Sequence, residues 1–163
     1  VVALLEAAAA AHPGRIGTHL IVGLGESERD MAQRIQWALD RGIMVALFAF
    51  TPVRGTAMAD VPPPPLATYR RLQAARWLMV HGHIRAEELG CDRDGRITSL
   101  GLPAEELASL LADSAAFRTS GCPDCNRPYY NERPGGVLYN YPRPLTPEEA
   151  RREVATLLAH LGG

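Results

Sequence analysis

RIGTHLIVGLG, residues 15–25, and IMVALFAF, residues 43–50, decide the fold. Each is a nearly unbroken apolar run of strand length, and the second has the continuous pattern of a strand covered on both faces. The first predicts a buried strand from about Ile16 to Val22. Between the two runs, Ser27 stands three residues before Asp30, the spacing of a capping box. Met31, Ile35, Ala38 and Leu39 recur on one face of the helix that follows, which runs to Arg41 and closes at Gly42. Working outward, VVALLEAAAAA at the start is an alanine-rich helix ended by Pro13-Gly14. The order α-β-α-β with short loops is that of parallel βα units. Two strands alone do not make a stable sheet with covered edges, so further strands are expected from upstream or from a partner.

The chain has 163 residues, enough for one domain with a real core. Its net charge of −1 gives no electrostatic footprint for nucleic acid or an anionic membrane. All 17 basic residues are arginine, which reads as base composition. No basic segment precedes VVALLEAAAAAH, so it is not a signal peptide, and no apolar run is long enough to span a bilayer. Val1 falls inside a helix-like run, so the chain is read as a piece of something longer, cytoplasmic in location. Three cysteines in that setting favour metal or redox use over a disulfide scaffold.

Beyond residue 60 the pattern changes. VPPPP, residues 61–65, is a stiff linker or turn. Residues 66–81 predict an amphipathic helix with Tyr69, Leu72, Arg76 and Leu78. CDRDGRITSLG reads as a loop with a tight turn at Asp94-Gly95, and residues 103–113 as a short helix. TPEEARREVATLLAHL closes the chain as a helix, with Thr146 as N-cap, Pro147 at its first position and Glu149 completing a box.

Between these helices lies TSGCPDCNRPYYNERPGG, residues 119–136, with neither helical nor strand periodicity. Cys122 and Cys125 in CxxC spacing aim two sulfurs at one point. Three chemistries compete. A structural zinc site needs four ligands, drawing on Cys91, His81 or His83. A thioredoxin-like pair wants the motif at a helix N-terminus, whereas Asn126-Arg127-Pro128 follows here. An iron–sulfur site needs further ligands from elsewhere. Cys91 reads first as a small buried residue. Tyr129, Tyr130, Tyr139 and Tyr141 read as packing or as a wall against water. In the strand region, GLGE at residues 23–26 and FTPVRGT after the second strand occupy the strand ends where parallel sheets bind ligands. The Rossmann spacing fails at Glu28.

HLIVGLGE resembles the GxIxGxxE motif on the fifth strand of radical S-adenosylmethionine enzymes, with Ile21, Gly23 and Glu26 matching and His19 in place of the first glycine. LFAFTPVRGTAM resembles the sixth strand and following loop of their biotin synthase-like branch. The resemblance implies an α/β fold: residues 1–60 as the C-terminal half of a partial (βα)6 TIM-like barrel, residues 61–163 as a mostly helical and irregular extension, with an auxiliary-site segment at 118–143. It implies S-adenosylmethionine as cofactor, with Ile21 on the adenine, Phe48 and Thr51 lining the adenosine site, and Glu26 ordering the turn. The family's CxxxCxxC, which holds the radical-generating [4Fe–4S] cluster, is absent from this chain, which alone is expected to be inactive.

Residues 117–146 are similar to the C-terminal region of two-component lipoyl synthase-type proteins. That similarity implies an auxiliary cluster ligated by Cys122 and Cys125, with Ser120 as a further oxygen ligand. Arg118, Arg127 and Arg133 would neutralise the cluster or hold a substrate carboxylate. It implies sulfur insertion at unactivated carbon: a 5′-deoxyadenosyl radical takes a hydrogen atom, and the carbon radical attacks a cluster sulfide. An octanoylated carrier protein or peptide would be the substrate. A second radical SAM subunit and an electron donor such as ferredoxin or flavodoxin would be partners. The rival expectations are a non-enzymatic zinc-binding module and a radical SAM enzyme of different chemistry.

Overall fold

The computed structural model of the chain describes residues 1–120 and 136–162. Helix α1 (Val2–Ala11) leads into β1 (Gly17–Val22), α2 (Glu28–Leu39) and β2 (Met44–Ala49). Then come α3 (Leu66–Val80), a short hairpin of β3 (Gly90–Cys91) and β4 (Ile97–Ser99), α4 (Ala104–Leu110) and α5 (Pro147–Ala159). The fold is mixed helix and strand. Its main sheet is one parallel pair in which Gly17 stands opposite Met44 and Val22 opposite Ala49.

The boundaries follow from local chemistry. Asp30 N–H donates to Ser27 Oγ at 3.1 Å and Ser27 N–H to Asp30 Oδ2 at 3.3 Å, so the expected capping box starts α2. Arg29 N–H, another donor of that helix end, donates to Gly95 O from the β3–β4 turn at 2.8 Å. Thr146 and Glu149 form the second expected box, with Pro147 at the first helical position of α5. The stretch 91–101, expected as a loop, is the β3–β4 hairpin, tightened by Asp92 Oδ1, which accepts the N–H groups of Asp94 and Arg96.

The strands depart from expectation in an informative way. Thr18, Leu20 and Val22 of β1 turn toward the helices, while Gly17, His19 and Ile21 are exposed. β1 is therefore covered on one face only. In β2, Val45, Ala46 and Leu47 are buried and Met44 is 60% exposed. The helix-side residues Leu20, Val22, Val45 and Leu47 join one apolar core with Ile35 of α2, Leu72 and Leu78 of α3, Phe117, and Val154 and Leu157 of α5. That core runs across the composition change at residue 60.

α3 also differs from its expected amphipathic character. Tyr69, Arg70, Arg71, Leu72, Gln73, Ala74, Ala75, Leu78 and Met79 are all buried. The helix lies between α2, α5 and the 3-10 turn Ala115–Phe117, so it has little solvent face. Its buried arginines survive because each is paired. Arg71 forms a two-pronged ion pair with buried Glu28, which also accepts the Ile97 N–H at 2.8 Å. Arg70 pairs with Glu153 at 2.7 Å.

Two predictions follow from this arrangement. Arg71→Met leaves a buried carboxylate without its cation and should cost about 3 to 5 kcal/mol in urea unfolding, whereas the double replacement Glu28→Met/Arg71→Met should regain most of that loss. The Glu149 carboxyl, held by Arg143 and the Thr146 N–H, sits at a pKa of about 2, below its ordinary 4.5. Its folded-state pKa is depressed, so its stabilisation of the α5 start is complete above the ordinary value and disappears as pH falls toward 2. A carbon-13 titration of the Glu149 carboxyl that midpoints near 4.5 would refute this.

Candidate functional site

The expected ligand residues of the two strands fall on one surface. Ile21 and Phe48 are register partners, so their side chains stand next to each other. They project from the sheet face opposite the helices. Ile21 is 44% exposed and Phe48 is half-buried. His19, the residue that replaces the motif's first glycine, meets the Phe48 ring edge-on at 4.8 Å. Thr51 follows the end of β2 and is exposed.

Glu26 closes the turn beyond β1. Its two carboxylate oxygens accept the Gly23 N–H at 2.7 Å and the Leu24 N–H at 2.9 Å. Gly23 has φ +103°, and a Cβ there would lie 2.9 Å from the Pro64 ring, so the turn needs glycine on both counts. Gly23 and Glu26 also line a cavity of about 400 Å³ with Val22, Pro62, Thr68 and Arg96. That cavity lies on the helix side of the sheet. The strand-end residues are thus divided: Ile21 and Phe48 on the open face, Gly23 and Glu26 at the turn between the two sides.

The outer edge of β2 carries a second constellation. Met44 N–H donates to Ile16 O and Phe50 N–H to Val22 O, so even-numbered residues of β2 pair with β1 and odd-numbered ones turn their backbone groups outward. Side chains satisfy three of these outward groups. Arg76 Nε donates to Val45 O at 2.6 Å, Tyr69 Oη donates to Leu47 O at 2.9 Å, and Leu47 N–H donates to Ser120 Oγ at 3.3 Å. Burial pulls the Arg76 pKa below its ordinary value. β1 differs: its outward groups at Gly17, His19 and Ile21 have no hydrogen bond among the described residues.

α3 also grips the chain on both sides of residues 121–135. Arg70 donates to Leu138 O at 2.7 Å and to Tyr139 O, and its guanidinium lies 5.6 Å from the Phe117 ring and 5.4 Å from the Tyr141 ring. Gln73 Nε2 donates to Tyr139 O and to Asn140 Oδ1, both at 3.0 Å. Asn140 Nδ2 donates to Tyr69 Oη at 2.9 Å. Thr119 N–H donates to Tyr141 O and Tyr141 N–H to Phe117 O, each at 3.0 Å, which joins the two flanks directly. Tyr141 donates to Glu153 at 2.7 Å; burial, then this carboxylate, pushes its phenol up to about 12. Tyr139 donates to Pro64 O at 2.7 Å. Both tyrosines are therefore part of the packing of this grip.

Among the expected site residues, Ser120 caps the β2 edge and Arg118 is exposed on the incoming flank. Cys122, Cys125, Arg127 and Arg133 lie outside the described residues. Cys91 is a free, half-buried cysteine packed against the core. No group of three or more His, Cys, Asp or Glu suited to a metal occurs among the described residues. His81 and His83 stand at the far end of α3, about 16 Å along its axis from Arg70 at 1.5 Å per residue. Tyr69, Arg70 and Gln73 were missed as anchors in the sequence. Their signal was polar side chains at helical spacing, Arg70 and Gln73 beside Tyr69, which the amphipathic reading assigns to a solvent face.

Compared with protein-family models, curated proteins and solved structures, the chain gives no match in any of the three. No helix among the described residues is long and apolar enough to cross a membrane. The Glu26 arrangement yields a local test. Glu26→Ala removes the acceptor of two backbone N–H groups, and hydrogen exchange at Gly23 and Leu24 should accelerate while β2 amides are unchanged. Unaltered protection at both positions would show that Glu26 does not hold the turn.

Proposed function

We propose that this chain is the C-terminal part of a radical S-adenosylmethionine enzyme that inserts sulfur into an unactivated carbon chain. One observation carries the reading. Ile21 and Phe48, singled out for the adenosine, are adjacent on the uncovered face of a parallel strand pair, beside a glycine turn held by Glu26. An exposed isoleucine beside an aromatic ring suits the face of a purine, and the strand end offers backbone groups to its edge. The unequal sheet edges fit the same reading: β2 would be the last strand of a partial barrel, and β1 would continue into the rest of it. Glu26 would order the turn and stay off the substrate.

In that family the bound cluster and S-adenosylmethionine supply a 5′-deoxyadenosyl radical. This chain's residues would have three tasks. Ile21 and Phe48 would hold the adenosine and keep water from it. Cys122 and Cys125 would be thiolate ligands for an auxiliary iron–sulfur cluster, and Arg118, Arg127 and Arg133 would offset its charge. The α3 grip would fix both flanks of the segment that bears the cysteines. Ser120 is the weakest member, because its Oγ already accepts the Leu47 N–H. The substrate would be an octanoylated carrier protein or peptide, with ferredoxin or flavodoxin as electron donor and a second radical SAM subunit as a further partner.

Anaerobic reconstitution with iron and sulfide tests the cysteine assignment. The chain should take up iron with acid-labile sulfide and turn brown, and Cys122→Ala or Cys125→Ala should lose most of both. A colourless protein with stoichiometric zinc and no labile sulfide would instead establish a zinc-binding module. In a protein that also carries the family's CxxxCxxC, the same replacements should abolish sulfur transfer and leave S-adenosylmethionine cleavage intact. Unchanged product yield would overturn the auxiliary-site assignment.

A further inference from the structure

The C-terminal end of α3 carries an aromatic cluster that the proposed reaction does not use. Gly82, at φ +73°, reverses the chain just beyond the helix. His83 N–H then donates back to Leu78 O at 2.9 Å and Gly82 N–H to Met79 O at 3.1 Å. This turn brings His83 beside His81 and over Trp77. The imidazole of His81 stacks on the indole at 4.1 Å and that of His83 lies 5.7 Å from it, tilted by 28° and 15°. The two imidazoles are 6.4 Å apart and within 20° of parallel. Rings in contact with opposite faces of one indole would stand about 7 Å apart or more, since stacked planes need roughly 3.5 Å each. The histidines are therefore side by side, and both are exposed.

We infer that His81 and His83 form a two-imidazole site for a late first-row divalent metal such as Ni²⁺, Cu²⁺ or Zn²⁺. Three features support this. The Nδ1 of His81 lies 2.8 Å from Trp77 O. A carbonyl oxygen only accepts, so Nδ1 carries the proton and the neutral ring keeps its lone pair on Nε2. A ring N–H anchored on a backbone carbonyl is the arrangement that orients metal-binding histidines. Second, the spacing is within reach of a shared ion. Metal–nitrogen bonds of about 2.0–2.1 Å place the ion roughly 3 Å from each ring centre, so at bond angles of about 90–110° two rings on one ion have centres about 4 to 5 Å apart, and the rings must approach by roughly 1.5 to 2 Å. The His83 side chain is exposed and makes no hydrogen bond among the described residues, so rotation about its side-chain bonds is free to bring its ring toward His81. Third, stacking on Trp77 holds the His81 ring before any ion arrives. The nearest cation in sequence, Arg85, is engaged by Asp40 and Glu87, which limits its repulsion of a metal. Imidazole donors select nickel, copper and zinc over magnesium and calcium; water completes the coordination.

The test uses Ni²⁺ with a Cys91→Ser/Cys122→Ser/Cys125→Ser chain, so that thiols take up none. Equilibrium dialysis should find one bound nickel per chain, with saturable quenching of tryptophan fluorescence because the ion sits against Trp77. His83→Gln should lose both signals while keeping the circular dichroism spectrum, and so should His81→Gln. Mg²⁺ should produce neither. Absence of saturable nickel binding, or binding that survives either replacement, overturns the site. The iron and sulfide analysis of the cysteine segment is independent of this outcome.

Discussion

A guanidinium with almost no access to water must find acceptors inside the protein, and Arg70 is where this fold meets that demand. Its side chain is 1% exposed. Its donors go to Glu153 on α5, to Gln73 on its own helix, and to the carbonyls of Leu138 and Tyr139. One side chain thereby ties the central helix, the last helix and the returning flank of the cysteine segment into a single network. Burying a charge in this way is costly unless each donor is used. Tyr69 and Gln73, one and three positions away, extend the same network to Leu47 O and to Asn140. α3 is thus a polar spine inside an apolar core. Its neighbours are placed by hydrogen bonds as much as by packing.

The same spine explains why β2 ends the sheet. Arg76, Tyr69 and Ser120 take up three of the outward backbone groups that another strand would have used. Among the described residues no such protection exists at β1, where six residues without charge or proline present a regular edge. The asymmetry gives the parallel pair a direction. One side is engaged by side chains of α3 and by Ser120, and the other has no such partner among the described residues. Ile21 and Phe48 lie on the face that such a continuation would enclose.

Much of the chain was legible in order. The two capping boxes need only a hydroxyl, three residues and a carboxylate, all local, and both starts stand where the sequence puts them. The pairing of Ile21 with Phe48 was implicit in two strands of equal length joined by one helix. The exposure of β1 was not. An apolar run states what a strand can bury, while the number of faces actually covered depends on which elements surround it. α3 differs for the opposite reason: its arginines and glutamine look like a solvent face, yet each has a partner more than thirty residues distant. Likewise the imidazole pair depends on the backward turn at Gly82, which sets His83 over a ring six positions earlier.

By itself, then, the sequence determined the helices, the two parallel strands and their order, though not the β3–β4 hairpin, because capping, propensity and apolar periodicity act over a few residues. It also placed a CxxC pair between two helices and a glycine turn at the end of a strand. Only the tertiary structure decided which strand edge is sealed, which sheet face is open, and that the flanks of residues 121–135 meet on one helix. Those outcomes rest on hydrogen bonds between residues tens of positions apart, such as Tyr69 with Asn140 and Arg70 with Leu138. No local pattern encodes such pairings, because they exist only once the helix and the sheet have packed.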